Sequence, residues 1–384
     1  MKVKLGDVCS RITDGSHNPP RGVSQSEFLM LSSKNIFDDE ITLDDPRFLS
    51  ADSFTLENKR TQIEEGDILL TIVGTVGRAA VVPDLNKNIC LQRSVAVIKP
   101  QRQIIDSRFL MYQLQSMRPY LEREARGVAQ KGIYLKQVES LQITILPYEE
   151  QRVIVSILDK VSELISFRKQ QLAKLDELVK SRFVELFGGA DYPMVLFENV
   201  CAFLRNGASI KQTKGAGGYP ITRIETLSND VFNTDRLGYA DITDLEKYQS
   251  YVLHHGDILI SHINSVAYLG RAVQYRGQLD TPIIHGMNLL CARIADSYNP
   301  TYIEWFFKTP MAKEYISTIT KKAVNQASIT TSDLKKMQVP NPPKSLQDQF
   351  AVFVEQTDKS KVEIQKSLEK LETLKTALMQ EYFG

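Results

Sequence analysis

The 384-residue sequence is short of most things that chemistry at an active site requires. Its four cysteines, Cys9, Cys90, Cys201 and Cys291, stand far apart with no CxxC pair. That spacing excludes a thiolate metal centre or a disulfide framework and leaves small buried hydrophobes. No stretch of some eighteen apolar residues occurs, so no membrane-spanning helix is expected. The opening Met1–Asp7 lacks the apolar run of a secretory signal, and a cytoplasmic location is expected. There is no GxxxxGK[ST] loop for nucleotide phosphates and no GxSxG nucleophile elbow. The five histidines, His17, His254, His255, His262 and His285, show no HExxH or other ligand spacing. No catalytic residue, metal or cofactor is therefore expected. Neither sign of charge prevails: 47 basic residues face 46 acidic ones, a net charge of +1. A generally basic protein is excluded, and what matters is where the charge lies. With 42% apolar and 24% charged residues, the chain is not largely disordered.

What the sequence does have is a copy of itself. Lys4-Leu5-Gly6-Asp7-Val8-Cys9 returns loosely as Leu196-Phe197-Glu198-Asn199-Val200-Cys201. Gly66-Asp67-Ile68-Leu69-Leu70 returns as Gly256-Asp257-Ile258-Leu259-Ile260, and Gly77-Arg78-Ala79 as Gly270-Arg271-Ala272. Gln130 and Ile133 match Gln326 and Ile329, and Phe187-Gly188 matches Phe383-Gly384. The order is kept and the offset drifts only from 190 to 196. A period this long is a duplicated domain, not a solenoid unit. Each copy begins with a mixed part, 1–146 and 189–342. Strand-like runs (67–73, 79–82, 94–98; 257–260, 289–294) and helical runs (107–114; 301–308) are punctuated there by Gly and Pro.

Each copy then ends in one long helix, 147–188 and 343–384. Pro147 or Pro343 stands at its start, where a missing N–H is harmless, and Gly188 or Gly384 at its end as a cap. Leu158, Ile165, Leu172, Val179 and Leu186 fall seven apart, with Leu175 beside them. Ile364, Leu371 and Leu378 do the same in the second helix, flanked by Leu368. A seven-residue stripe is a coiled-coil seam. The positions between are charged: residues 149–187 hold seven acids and seven bases. Such a helix needs a partner over its stripe. The expected partner is the other helix, antiparallel, making a rod of roughly 60 Å. Packing of each helix onto its own mixed part is the plainer alternative.

The long helices are nearly neutral, so any nucleic-acid contact falls to the mixed parts. Residues 93–136 carry nine Lys/Arg against three acids, among them Arg93, Arg126 and Lys131. Residues 201–224 carry four bases and no acid, including Lys214 and Arg223, and residues 308–336 carry six lysines against two acids, including Lys321. Clusters of this kind neutralise phosphates. Base edges are read by forked or amide donors on loops. The candidates are Lys34, Arg78, Gln92, Arg93, Arg126 and Lys131 in the first copy, and Lys214, Arg223, Asn264, Arg271, Asn288 and Lys321 in the second.

These features together resemble one family. The duplicated layout, Asp14-Gly15-Ser16-His17, the Gly-Asp-Ile-Leu run followed by Gly74 to Arg78, and Leu146-Pro147-Tyr148-Glu149-Glu150-Gln151 before a long helix are similar to the specificity subunit of type I restriction–modification enzymes. The second copy departs from the first. It places Asn264–Leu269 where the first has the Gly74–Gly77 loop, and Pro340-Asn341-Pro342-Pro343-Lys344-Ser345-Leu346-Gln347-Asp348-Gln349 where the first has Pro147-Tyr148-Glu149-Glu150-Gln151. The resemblance implies an α+β chain of two target recognition domains with an internal pseudo-two-fold. Two long helices would form an antiparallel coiled coil that spaces the domains. It implies reading of a bipartite, asymmetric double-stranded DNA site, and docking of two methyltransferase subunits and, through them, restriction subunits. Catalysis would lie in those partners, and no membrane is involved. A fused methyltransferase would need an aromatic after Asn-Pro-Pro, whereas Arg21 and Lys344 stand there. A helical scaffold that joins proteins without reading DNA is the other alternative.

Overall fold

The computed structural model describes residues 1–84, 87–125, 131–189, 191–213, 217–323 and 326–384. The chain divides into two compact units. Met1–Gln170 and Gln365–Gly384 form the first, and Gln171–Ile364 the second. Each unit thus holds one mixed part and a portion of both long helices.

The first unit is built on a four-stranded antiparallel sheet in the order Cys9–Asp14, Val95–Pro100, Ile68–Thr71, Ala79–Val81. The central run Ile68–Thr71 is buried at every position. Ile68 and Leu70 enter the core with Phe109, Leu110 and Leu114 of helix Ser107–Ser116, while Leu69 enters a second core with Leu31, Ile36 and Val97. A sheet covered on both faces has no polar side to alternate with, which is why this strand reads as an unbroken apolar run. Each such side chain withdrawn from water contributes about 1.5–3 kcal/mol. A smaller sheet, Arg47–Leu49, Phe28–Leu31 and Asn88–Leu91, forms the second layer and mixes antiparallel with parallel pairing. The strand pair Lys2–Lys4 and Gln142–Thr144 closes the unit before the long helix.

The second unit repeats the main sheet as Cys201–Asn206, Leu289–Ile294, Ile258–Ser261, Ala272–Gln274, also antiparallel. Even the irregularity is repeated: the first strand slips register between Cys9 and Arg11 in one unit and between Cys201 and Phe203 in the other. Met194–Leu196 pairs with Gln338–Pro340. The accessory layer differs. Here Gly238–Ala240 lies between Gln212–Thr213 and Tyr219–Ile221, wholly antiparallel. A 3-10 stretch, Glu246–Tyr251, stands in place of the eleven-residue helix Ala51–Thr61 of the first unit.

The Gly-Asp pair before each central strand has a local cause. Gly66 and Gly256 both take the left-handed backbone, with φ of +78° and +92°, a region that costs a Cβ-bearing residue strain. The aspartate that follows is buried and paired across the sheet. Asp67 meets the Lys99 ammonium at 2.6 Å, and Asp257 accepts two bonds of 2.7 Å from Arg293. Burial pushes the Asp67 carboxyl above its usual range, against the pull of Lys99.

The long helices run Tyr148–Phe187 and Lys344–Phe383, 40 residues each. Their stripes do two jobs. In the first unit Ile154 and Leu158 belong to the sheet-and-helix core, joined by Leu378, Met379 and Phe383. In the second unit Val179, Phe183 and Phe187 enter a core with Phe350 and Val354. Ion pairs link the helices inside each unit: Lys169 to Glu372 at 3.3 Å in the first, Asp176 to Lys361 at 2.6 Å in the second. Between these ends Ile165, Leu172, Leu175, Ile364 and Leu371 are half-buried, and Leu368 is buried. The start of each helix thus packs onto its own mixed part, as the plainer alternative has it, whereas the end of each (Val179, Phe183 and Phe187; Leu378, Met379 and Phe383) packs onto the other mixed part. Gly188 does not cap in the left-handed region. Its amide donates to the Val184 carbonyl at 2.7 Å and simply extends the last turn.

Candidate nucleic-acid interface

In the first unit one turn, Gln92-Arg93-Ser94, gathers three other segments at the end of the main sheet, and one of these brings in a fourth. The Ser16 amide donates to Leu91 O and the Arg93 amide to Ser16 O, at 2.7 and 2.9 Å. Gly15 makes this crossing possible, since a Cβ there would run into the Leu91 carbonyl. The Gln92 amide donates to Leu31 O at 2.9 Å, and the Ser33 amide to Ser94 Oγ at 3.1 Å. The Ile72 amide donates to Ser94 O at 2.9 Å, and the Gly74 amide to Lys131 O at 3.1 Å. Lys34, Gln92, Arg93 and Lys131, distant in sequence, thereby stand on adjoining loops. Arg93, Lys131 and Lys34 are exposed and Gln92 is half-buried. Lys34 is paired to exposed Asp45. Arg78 closes the hairpin beside Gly74. Its guanidinium lies 4.9 Å over the Phe37 ring, with one donor 3.5 Å from Ile36 O. Arg126 lies outside the described residues.

The second unit assembles the equivalent loops around Gly286-Met287-Asn288. The Ala208 amide donates to His285 O at 2.8 Å, and the Met287 amide to Ala208 O at 3.1 Å. Gly207, like Gly15, sits where a Cβ would strike the crossing backbone, here Gly286. Gly286 N donates to Thr222 Oγ1 at 2.9 Å, which brings in Arg223, and Ile329 N donates to His262 O at 3.0 Å. Strand pairing joins Asn264 to Ala327 and Lys321 to Ser328. Arg223, Asn264, Asn288 and Lys321 therefore lie on neighbouring loops. Several are engaged. Arg223 Nε donates to Gln212 at 2.6 Å, and the Asn264 amide bonds Ser261 Oγ and the Ser265 N–H at 3.2 and 2.8 Å. Arg271 is held by Asp230 and by Leu227 O, both at 2.9 Å, so its fork is spent within the chain. Lys321 is exposed, 3.7 Å from Asp333. Lys214 lies outside the described residues.

Some residues that shape these ends are not among the sequence candidates. Asp14, buried, accepts from Arg60 and from His17, the latter at 2.8 Å, and so fixes the rim of the first loop cluster. The Asp14-Gly15-Ser16-His17 motif was the only signal for it. Exposed Met287 carries no sequence signal at all; only the shared turn geometry reveals its place. Among the described residues no His/Cys/Asp/Glu group could hold a metal ion, and no helix is long and apolar enough to cross a membrane.

A family model for the type I restriction modification DNA specificity domain matches residues 2–177 and 192–376. The chain belongs to this family. The type I restriction enzyme specificity subunit assigned as MjaX of Methanocaldococcus jannaschii is 36% identical over 194 residues, 50% of this chain and 45% of that one. The EcoKI specificity subunit of Escherichia coli is 23% identical over 279 residues, 68% and 60% of the two chains. This chain spans about half the length of the curated relatives it matches. The crystal structure of the type I restriction–modification S subunit from M. genitalium matches over 100% of this chain and 96% of its own, with a TM-score of 0.59 at 14% identity. That likeness is one of fold: a mixed α/β chain carrying two domains of the specificity family, as the repeat implied.

Proposed function

We propose that this chain is the sequence-recognition subunit of a type I restriction–modification system, itself without catalysis, reading a bipartite, asymmetric site on double-stranded DNA. The observation that carries the reading is the repeated loop cluster. Two units use the same backbone crossings to present different side chains at the same end of the same sheet. Equivalent frames with unlike contents suit two readers of two different half-sites. Residues 1–146 and 189–342 act as the target recognition domains. Residues 147–188 and 343–384 act as spacer and dock, paired as an antiparallel coiled coil under a pseudo-two-fold. Lys169 with Glu372 and Asp176 with Lys361 support that sense of pairing, because the number rises on one helix as it falls on the other. Two methyltransferase subunits bind this frame and restriction subunits join through them, in the cytoplasm. Because the net charge is only +1, the partners supply further phosphate contacts.

Methylome sequencing of cells expressing the chain with its methyltransferase tests this. The expected result is a methylated motif split into two unlike parts by a fixed unread gap. Continuous motifs, or no motif beyond the host background, would refute it.

A further inference from the structure

The two reading ends share a backbone frame but not a chemistry. Val95 N donates to Gln92 O at 3.1 Å, and Leu289 N to Gly286 O at 3.1 Å. Arg93 N bonds Ser16 O as Met287 N bonds Ala208 O. Met287 therefore occupies the place of Arg93, and it is 50% exposed. The 3-10 turn Ser33–Asn35 corresponds to Ile224–Thr226, which sets Glu225 where the first unit has Lys34. The hairpin closed by Gly77 N to Thr71 O is closed in the second unit by Gly270 N to Ser261 O. Between those closures the second unit carries residues 262–269 against 72–76, three more, and exposes Val266 and Tyr268. The first hairpin instead buries Val76. Tyr268 is fixed in place, since Arg271 lies 4.7 Å over its ring and is itself tied to Asp230.

Three exposed apolar side chains at a reading end have one match among base edges. In the major groove only thymine shows an apolar group, its C5-methyl; the other edges show donors and acceptors. Pressing Met or Val against a donor or acceptor strips it of water without replacing the hydrogen bond. Arg223, Lys321 and exposed Lys322 remain at the margin to hold phosphates. Resting on the DNA-reading role proposed above, we infer that the second unit reads thymine methyl groups through Met287, Val266 and Tyr268, whereas the first reads hydrogen-bonding edges through Arg93 and Gln92.

The test uses the full chain assembled with its methyltransferase, and duplexes carrying the motif found by methylome sequencing. Deoxyuridine replaces thymine in one half-site at a time, which deletes the methyl and leaves pairing intact. The second unit's half-site is the one whose reading survives Arg93→Ala. Uridine there is expected to weaken binding about 4-fold per methyl contacted, the equivalent of about 0.8 kcal/mol, and uridine in the other half-site to change nothing. Met287→Gln, a surface change that leaves the core untouched, should shrink the thymine–uridine difference. Equal affinity for thymine and uridine in that half-site, with specific binding intact, overturns the inference alone, as does a half-site with no thymine. Met287→Gln that weakens methyltransferase assembly and leaves thymine preference unchanged also overturns it, making the patch a protein contact. If the unmodified complex binds no sequence specifically, the recognition role falls, and this inference with it.

Discussion

Gln151 and Gln347 show how much one side chain can organise. Each is fully buried at the start of a long helix. Gln151 donates to Leu146 O and Ile104 O at 2.8 and 3.1 Å and accepts from Asp106 N at 2.8 Å. Gln347 donates to Pro342 O and accepts from Asn299 N, both at 2.9 Å. Asp106 and Asn299 in turn cap the helices Ser107–Ser116 and Pro300–Phe306. Each glutamine thus locks the beginning of its long helix to a helix of the mixed part. Gln347→Ala leaves a buried donor and a buried acceptor unmatched, and about 2–4 kcal/mol of stability should go, read as a lower urea midpoint. Little of this was legible beforehand. Gln151 stood in a recognisable motif, but its acceptors and donor lie up to 47 residues away. The alternative spelling before the second helix hid that Gln347 is its counterpart.

Histidine gives the second unit a sensitivity to acid. Burial, aided by the nearby Arg205 cation, holds the His285 imidazolium below its ordinary pKa of 6.5, and burial does the same to His262. The unfolded chain therefore binds protons that the folded chain refuses. Stability is full above about pH 6.5 and is lost as the pH falls below it. The only histidine of the first unit, His17, is exposed. Melting temperature should drop between about pH 7.5 and pH 5.5, and His285→Gln should lessen the drop.

At the scale of elements, the seven-residue stripe was the clearest sequence signal and also the one most in need of refinement. It runs along the helices Tyr148–Phe187 and Lys344–Phe383. It did not reveal that Leu158 and Val179, each fully buried, would serve sheet-and-helix cores. Periodicity reports that a face is covered, not by what. The burial pattern separates members of the helices sharply. Phe350 is fully buried, with ring centroids 5.3 Å from Phe183 and 5.6 Å from Phe187, whereas Leu374 is 46% exposed. Phe350→Ala should cost about 3–5 kcal/mol, and Leu374→Ala less than about 0.5 kcal/mol, both by thermal denaturation. If Leu374→Ala nonetheless weakens methyltransferase assembly, that face is part of the dock. The main-sheet strands Ile68–Thr71 and Leu289–Ile294 were visible as apolar runs. Cys9–Asp14 and Cys201–Asn206 were not, because edge position and a register slip break their pattern.

At the scale of the molecule, the repeat was legible because its punctuation is physically constrained. Gly66 and Gly256 need a positive φ, and Asp67 and Asp257 need a cation across the sheet, whereas the match of Gly15 with Gly207 came only from the structure. The candidate loop clusters were legible only in outline, since loops free to vary leave no period and no fixed spacing. On the proposed reading, the two units contact separate half-sites and should fail separately. Arg93→Ala is expected to relax one half of the methylated motif and leave the other intact, a contact of this kind contributing about 1–3 kcal/mol. Methylome sequencing of the variant shows this directly, and equal relaxation of both halves would speak against independent reading.

The division of the chain also orders its synthesis. The first unit is begun by residue 1 and completed only by residues 365–384, whose Phe383 ring lies 5.3 Å from that of Phe109. The second unit is contiguous. On a ribosome, the half translated first must wait with an apolar flank bare until the last helical turns emerge, so the later half is the first able to finish folding.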